Sequence, residues 1–363
     1  MPEPTLTPNY RSLDQALTLL ADYGPEYGGG LTGHGPMMAE ALCALGRGDA
    51  VLPMTQRYAD HLSPAPPAGQ PFPDTEWRPL LGKFTRYGDW VALMEQELAA
   101  APWREVLDRW VARLAPGYAS AAVHGVIRVG HAVRSLGEDV SGETETPARL
   151  RELAAALGYW AARYHELPTA PRDGTMALPA KQAFEALALR PMDERPDMGL
   201  IVSSLLALKD FPPFHSAIWR LDVSGEPDQL LDELMAVFTG AFLANAHDTL
   251  PAIIFTHGVT GVAALRNLAP YLSKETLDLV APYAWQAGAG LYAALGTETH
   301  LPDAVEPPSE SPQALMDWAI AGGDEHGIKL LEACLTQYRR TPNPLYLAAA
   351  RRGLEALNPE AAP

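Results

Sequence analysis

Alanine and leucine recur three and four residues apart through most of this chain, while alternating runs of valine, isoleucine and threonine are almost missing. A helical period without a strand period confines the chain to helices that each bury one apolar stripe, because a strand would scatter the same residues over both faces. Helices are therefore expected over Leu13–Tyr23, Gly117–Leu136, Pro147–His165, Pro227–Ala246, Ile253–Leu268, Lys274–Leu295 and Glu325–Tyr338. Proline and glycine clusters at Ser63–Asp74, Leu167–Gly174, Arg190–Asp197 and His300–Pro312 punctuate them as loops. The pattern predicts an all-α, multi-helix bundle with proline-rich loops and excludes a βαβ sheet. The first loop, with Pro64, Pro66, Pro67, Pro71 and Pro73, reads either as a domain linker or as a stiff surface excursion. No repeat of fixed period supports a solenoid.

A chain of 363 residues with 47% apolar content can bury one large core or two ordinary ones. Its 44 acidic side chains against 27 basic ones, with no basic run, exclude nucleic acid as an expected partner. Only Cys43 and Cys334 are present, too few for a disulfide framework or a cysteine-rich zinc or iron–sulfur site, and a reducing cytoplasm fits. Met1–Leu13 lacks a signal-peptide pattern, and no uncharged apolar stretch reaches the roughly 18 to 20 residues of a membrane span, so no membrane partner is expected.

The informative residues are the ten histidines, four of which precede glycine: His34, His124, His257 and His326. Random placement of 30 glycines in 363 residues gives about 0.8 such pairs. Glycine costs a helix about 1 kcal/mol relative to alanine, so its repeated use beside histidine suggests room for something close to the backbone, such as an ion on which several helices converge. The alternative is that glycine is abundant and some pairs mark helix ends.

His257 lies on an uncharged face with Ile253, Ile254, Gly261 and Ala264, and should be buried, either as a hydrogen-bonded core residue or as a ligand. His124 and His131 share a helix face but stand roughly 10 Å apart along the axis, so one ion is not expected to take both. His124 is the better ligand; His131 is a candidate to face substrate or support a ligand, or else is a plain core or surface group. Lys329 follows His326 by one helical turn, and on the residues alone reads as a solvated lysine; if desolvated near a metal, its neutral amine can take up carbon dioxide as a carbamate. His34 precedes Pro36, a first-turn proline, and can be a helix cap, an exposed loop residue or a ligand. Aromatic residues such as Trp285 and Phe255 read first as core and second as pocket lining.

Other chemistries lack their residues. There is no His-Glu-x-x-His, no glutamate three residues before any histidine, no P-loop, no G-x-S-x-G elbow and no dinucleotide fingerprint, so neither an NAD nor a flavin site is recognised. Gly28-Gly29-Gly30 alone reads as a flexible loop.

Five short segments together resemble the questin oxidase-like proteins: Gly33-His34-Gly35-Pro36-Met37, Glu40-Ala41-Leu42 with Leu45-Gly46, His124-Gly125-Val126-Ile127-Arg128, His257-Gly258-Val259-Thr260-Gly261 and Glu325-His326-Gly327-Ile328-Lys329. The resemblance implies a helical fold, and because His34, His124, His257 and His326 flank every candidate linker, one metal site would tie 1–363 into a single domain. It also implies a non-haem iron centre, Fe(II), with a carboxylated lysine, and oxidation of a small aromatic polyketide such as an anthraquinone by dioxygen, as a mono- or dioxygenase. Carried over, the ligands are His34, His124, His257, His326 and Lys329. The family's second histidine in the central motif is replaced here by Arg128, a candidate to face a substrate carboxylate or phenolate, or to form a surface salt bridge. An additional histidine that often follows the one matching His34 is missing too. Two rivals remain: zinc in the same cage activating water for hydrolysis, and a metal-free helical scaffold with structural histidines.

Overall fold

The computed structural model describes residues 7–137, 144–172, 174–197 and 199–361. Among them the fold is all-α. The first helices are α1 (Leu13–Leu20), α2 (Gly35–Ala44), α3 (Gly48–Ala59), α4 (Tyr87–Ala100), α5 (Trp103–Leu114), α6 (His124–Ser135) and α7 (Pro147–Ala162). After them come α8 (Ala180–Glu185), α9 (Ile201–Leu206), α10 (Pro227–Asn245), α11 (Thr249–Leu268), α12 (Lys274–Leu295), α13 (Pro312–Gly322), α14 (Glu325–Arg340) and α15 (Pro344–Leu357). The three-glycine segment is the turn of a two-stranded hairpin, β1 (Glu26–Tyr27) and β2 (Leu31–Thr32), and all three glycines have positive φ.

Helix starts follow from local chemistry. Thr146, Ser311 and Asn343 accept hydrogen bonds from the first backbone N–H groups of α7, α13 and α15, and each of these helices carries proline in its first turn. Three expectations need correction. The helix expected from Gly117 begins only at His124, because Ala121, Ala122 and Val123 adopt left-handed backbone. The helices expected to reach Tyr23 and His165 end at Leu20 and Ala162. Thr249–Tyr271 is long and apolar enough by length and composition to cross a membrane, and 72% of its most apolar window is buried within the protein, as in a core helix.

Contacts divide the chain into two compact units. The first comprises the described residues of 6–166 and 264–280, the second those of 167–263 and 281–363. In the first, α7 packs on α4, α6 and α1, and α2 packs on α1, α3 and α6. Its core includes an edge-to-face run from Phe72 to Trp90 to Trp110. In the second, α14 packs on α15 and α13, and α10 on α15 and α8. Trp285 and Phe255 belong to this core: the Trp285 indole donates to the Ala217 carbonyl at 2.8 Å, and Phe255 stacks on Tyr292 at 4.5 Å.

Candidate metal centre

In the first unit, His34 caps α2 with its backbone, and its N–H donates to the Tyr58 hydroxyl at 2.8 Å. The ring makes no cap bond; it is buried, with Nε2 2.7 Å from Nε2 of His124. The two rings stack at 4.7 Å and 28°. Nδ1 of His124 lies 2.6 Å from the Ala121 carbonyl, which can only accept, so the His124 proton belongs on Nδ1 and its Nε2 carries a lone pair. Either His34 donates its proton to that lone pair, or both rings turn lone pairs toward one cation.

The Ala121 carbonyl is held in place by unusual backbone. Ala121, Ala122 and Val123 have φ of 51°, 54° and 73°. Left-handed backbone costs an L-residue roughly 1–2 kcal/mol, and three in succession persist only where the surroundings fix them. Buried Ser120 accepts the His165 N–H at 3.0 Å, and the Trp160 indole donates to Gly117 at 2.8 Å, bracing both flanks.

The second unit repeats the device. His257 on α11 is 1% exposed, and its Nδ1 lies 3.1 Å from the Ile254 carbonyl, again leaving Nε2 as the lone pair. Burial, then the neighbouring His326 and Lys329, keep His257 well below the usual imidazole range, which favours the neutral form that ligates metals. The His257 and His326 rings lie 5.6 Å apart at 70°. Asp324 and Glu325 flank His326: their carboxylates stand 3.6 and 3.8 Å from its Nδ1. Asp324 also caps α14, accepting from the N–H groups of His326 and Gly327 at 2.9 and 3.0 Å. A carboxylate on the far nitrogen of a metal-binding imidazole fixes its orientation and raises its basicity.

Lys329 is not solvated. It is 1% exposed on α14, and burial lowers its ammonium from the usual 10.5 to about 8 against the opposing pull of Glu325 and Asp324. In each unit the donor set fits a transition metal, since buried imidazoles suit iron, zinc or copper.

The two accessory candidates are both buried and both paired. Arg128 is 7% exposed and donates from Nε and Nη2 to the Glu152 carboxylate at 2.6 and 2.8 Å, so its salt bridge is internal and not on the surface. His131 lies 2.6 Å through Nδ1 from Glu40, which also accepts from Arg134 at 2.8 and 2.5 Å and from the Tyr10 hydroxyl at 2.6 Å. Glu40 escaped the reading of single residues, although one acid inside the apolar run Met37–Leu45 signals it. Burial raises its pKa, but Arg134 and His131 outweigh burial and bring it from the usual 4.5 to about 2.

The sign of the resulting pH effect follows directly. Below 4.5 the unfolded chain binds a proton that the folded one refuses, so the stabilisation is full above 4.5 and disappears as pH falls through about 2. Glu40→Gln is expected to cost about 3 kcal/mol at neutral pH and to flatten the acid decline. Urea unfolding at stepped pH checks this, and equal acid slopes in wild type and variant would count against it.

The glycines beside the histidines make room for neighbouring protein. A Cβ on Gly125 would lie 2.9 Å from the Trp160 ring and 3.0 Å from its Cα, and one on Gly35 would lie 2.7 Å from Leu20. At Gly327 the neighbour is Asn358 at 3.0 Å, and at Gly258 it is Tyr292 at 3.3 Å. These glycines let helices and side chains pack close, which positions the histidines indirectly. No protein-family model matches the chain, and no curated protein matches it.

Proposed function

We propose that this chain is a non-haem iron oxygenase that uses dioxygen to oxidise a small aromatic, anthraquinone-like substrate. His34, His124, His257, His326 and a carboxylated Lys329 serve as the ligands of one ion, and residues 1–363 act as one domain. The observation that carries the metal is shared by two imidazoles: His124 and His257 each have Nδ1 against a backbone carbonyl, at 2.6 and 3.1 Å. That arrangement puts the proton on Nδ1 and the lone pair on Nε2, the form in which an imidazole ligates a metal. Iron and the aromatic substrate rest on the resemblance of the five sequence segments.

Bound Fe(II) would supply the electrons that allow dioxygen to react with a closed-shell aromatic molecule. The chain's own residues have separable tasks. The carbonyls of Ala121 and Ile254 hold the tautomer, burial keeps His257 neutral, and Asp324 holds His326 through its backbone N–H. Lys329, as a neutral amine, forms an N–C bond with carbon dioxide and releases a proton, giving an anionic oxygen donor where the helix offers an amine.

Oxygen consumption by ferrous-loaded protein with a hydroxyanthraquinone tests the reaction. Uptake that depends on both iron and the quinone supports it. Zinc-loaded protein that hydrolyses an ester or amide without oxygen uptake would favour the hydrolytic reading instead.

A further inference from the structure

A cavity of about 260 Å³ lies within the first unit. One side of it is apolar, formed by Leu17 and Leu20 of α1, Val91 of α4, Ala155 of α7 and the pair Pro66-Pro67. Pockets for drug-sized ligands begin at about 300 Å³, so an occupant has one or two fused rings. Four charged groups also line it, Arg128 and Arg151 against Glu95 and Glu152, and the charges balance. Arg128 is already held by both Glu152 oxygens. A charged ligand would therefore bring an unmatched charge into partly desolvated space, which is unfavourable.

The cavity nonetheless has a polar anchor. Tyr87, also on its wall, has its phenol beside the Arg128 guanidinium. Its phenolic O–H can donate to a ligand, and the guanidinium beside it strengthens that donor.

We propose that this cavity is a binding site for an uncharged one- or two-ring compound bearing a carbonyl acceptor, which Tyr87 anchors. The site needs no metal and stands apart from the reading of the histidines as ligands. Arg128 and Glu152 set its preference against charge, and the apolar side receives the ring.

Calorimetric titration of the full-length chain, with and without prior chelation, uses three probes: 1-tetralone, the hydrocarbon tetralin, and 2-naphthoate. Tetralone is expected to bind at one site regardless of chelation, with naphthoate at least about tenfold weaker. Tyr87→Phe should weaken tetralone about tenfold and leave tetralin nearly unchanged, the signature of one lost hydrogen bond and not of a damaged fold. Ala155→Leu, placed on the cavity wall, should weaken both neutral probes. No tetralone binding, naphthoate binding as tight as tetralone, or tetralone affinity indifferent to Tyr87→Phe would each overturn the proposal. Loss of metal without loss of tetralone binding would leave it standing.

Discussion

His257→Ala and His326→Ala are each expected to strip most of the metal from the protein, while His61→Ala leaves it in place. His257 is 1% exposed, with Nδ1 committed to Ile254 and Nε2 left as a lone pair. His326 is buried in the first turn of α14, held by its helix cap, with two carboxylates within 4 Å of its ring. His61 is exposed beside the proline-rich loop. Even groups that merely orient a ligand change metal affinity by about 10–100-fold when removed, so losing a ligand should do at least as much. The measurement is metal retained after dialysis against a graded chelator, alongside far-UV dichroism to show that the helices persist. Equal retention in all three variants would make the ligand assignment wrong.

Lys329→Ala is expected to weaken metal binding strongly, with partial recovery on adding acetate or bicarbonate, whereas Lys329→Arg should not recover. Neutral imidazoles alone leave a divalent ion's charge uncompensated in the interior, and an anionic donor lowers that cost. Guanidinium cannot become a carbamate and keeps its positive charge. The carboxylates of Asp324 and Glu325 supply a competing source of negative charge, since both lie within 4 Å of the His326 ring. Glu325→Gln separates the two: if carbamate is the anion, this variant should retain far more metal than Lys329→Ala. The reverse order, or electron density showing an unmodified Lys329 in metal-loaded crystals grown with carbon dioxide present, would remove the carbamate from the mechanism.

Much of the fold was readable because helical periodicity is written in the sequence itself. α12 runs from Lys274 to Leu295 as expected, and α10 differs from expectation by one residue. What could not be read depends on tertiary context. Ala121-Ala122-Val123 carries no glycine to announce left-handed backbone, and its helix-favouring residues suggested that α6 begins at Gly117. Lys329 looked solvated because lysine is seldom buried, and only the packing of α14 reverses that expectation. Arg128 and Glu152 lie 24 residues apart, so their pairing depends on α6 and α7 packing together. The histidine–glycine pairs drew attention to the right side chains, but the space the glycines create is filled by Leu20, Trp160, Tyr292 and Asn358.

Metal content of protein purified under anaerobic conditions, with stability measured before and after chelation, bears most directly on the central claim. The expected result is about one iron per chain, with a clear fall in unfolding temperature when the ion is removed, because an ion bound only by the folded state adds its binding energy to folding. Less than about 0.1 transition metal per chain after ferrous reconstitution, with stability indifferent to chelator, would contradict it and leave a helical protein whose buried histidines are structural.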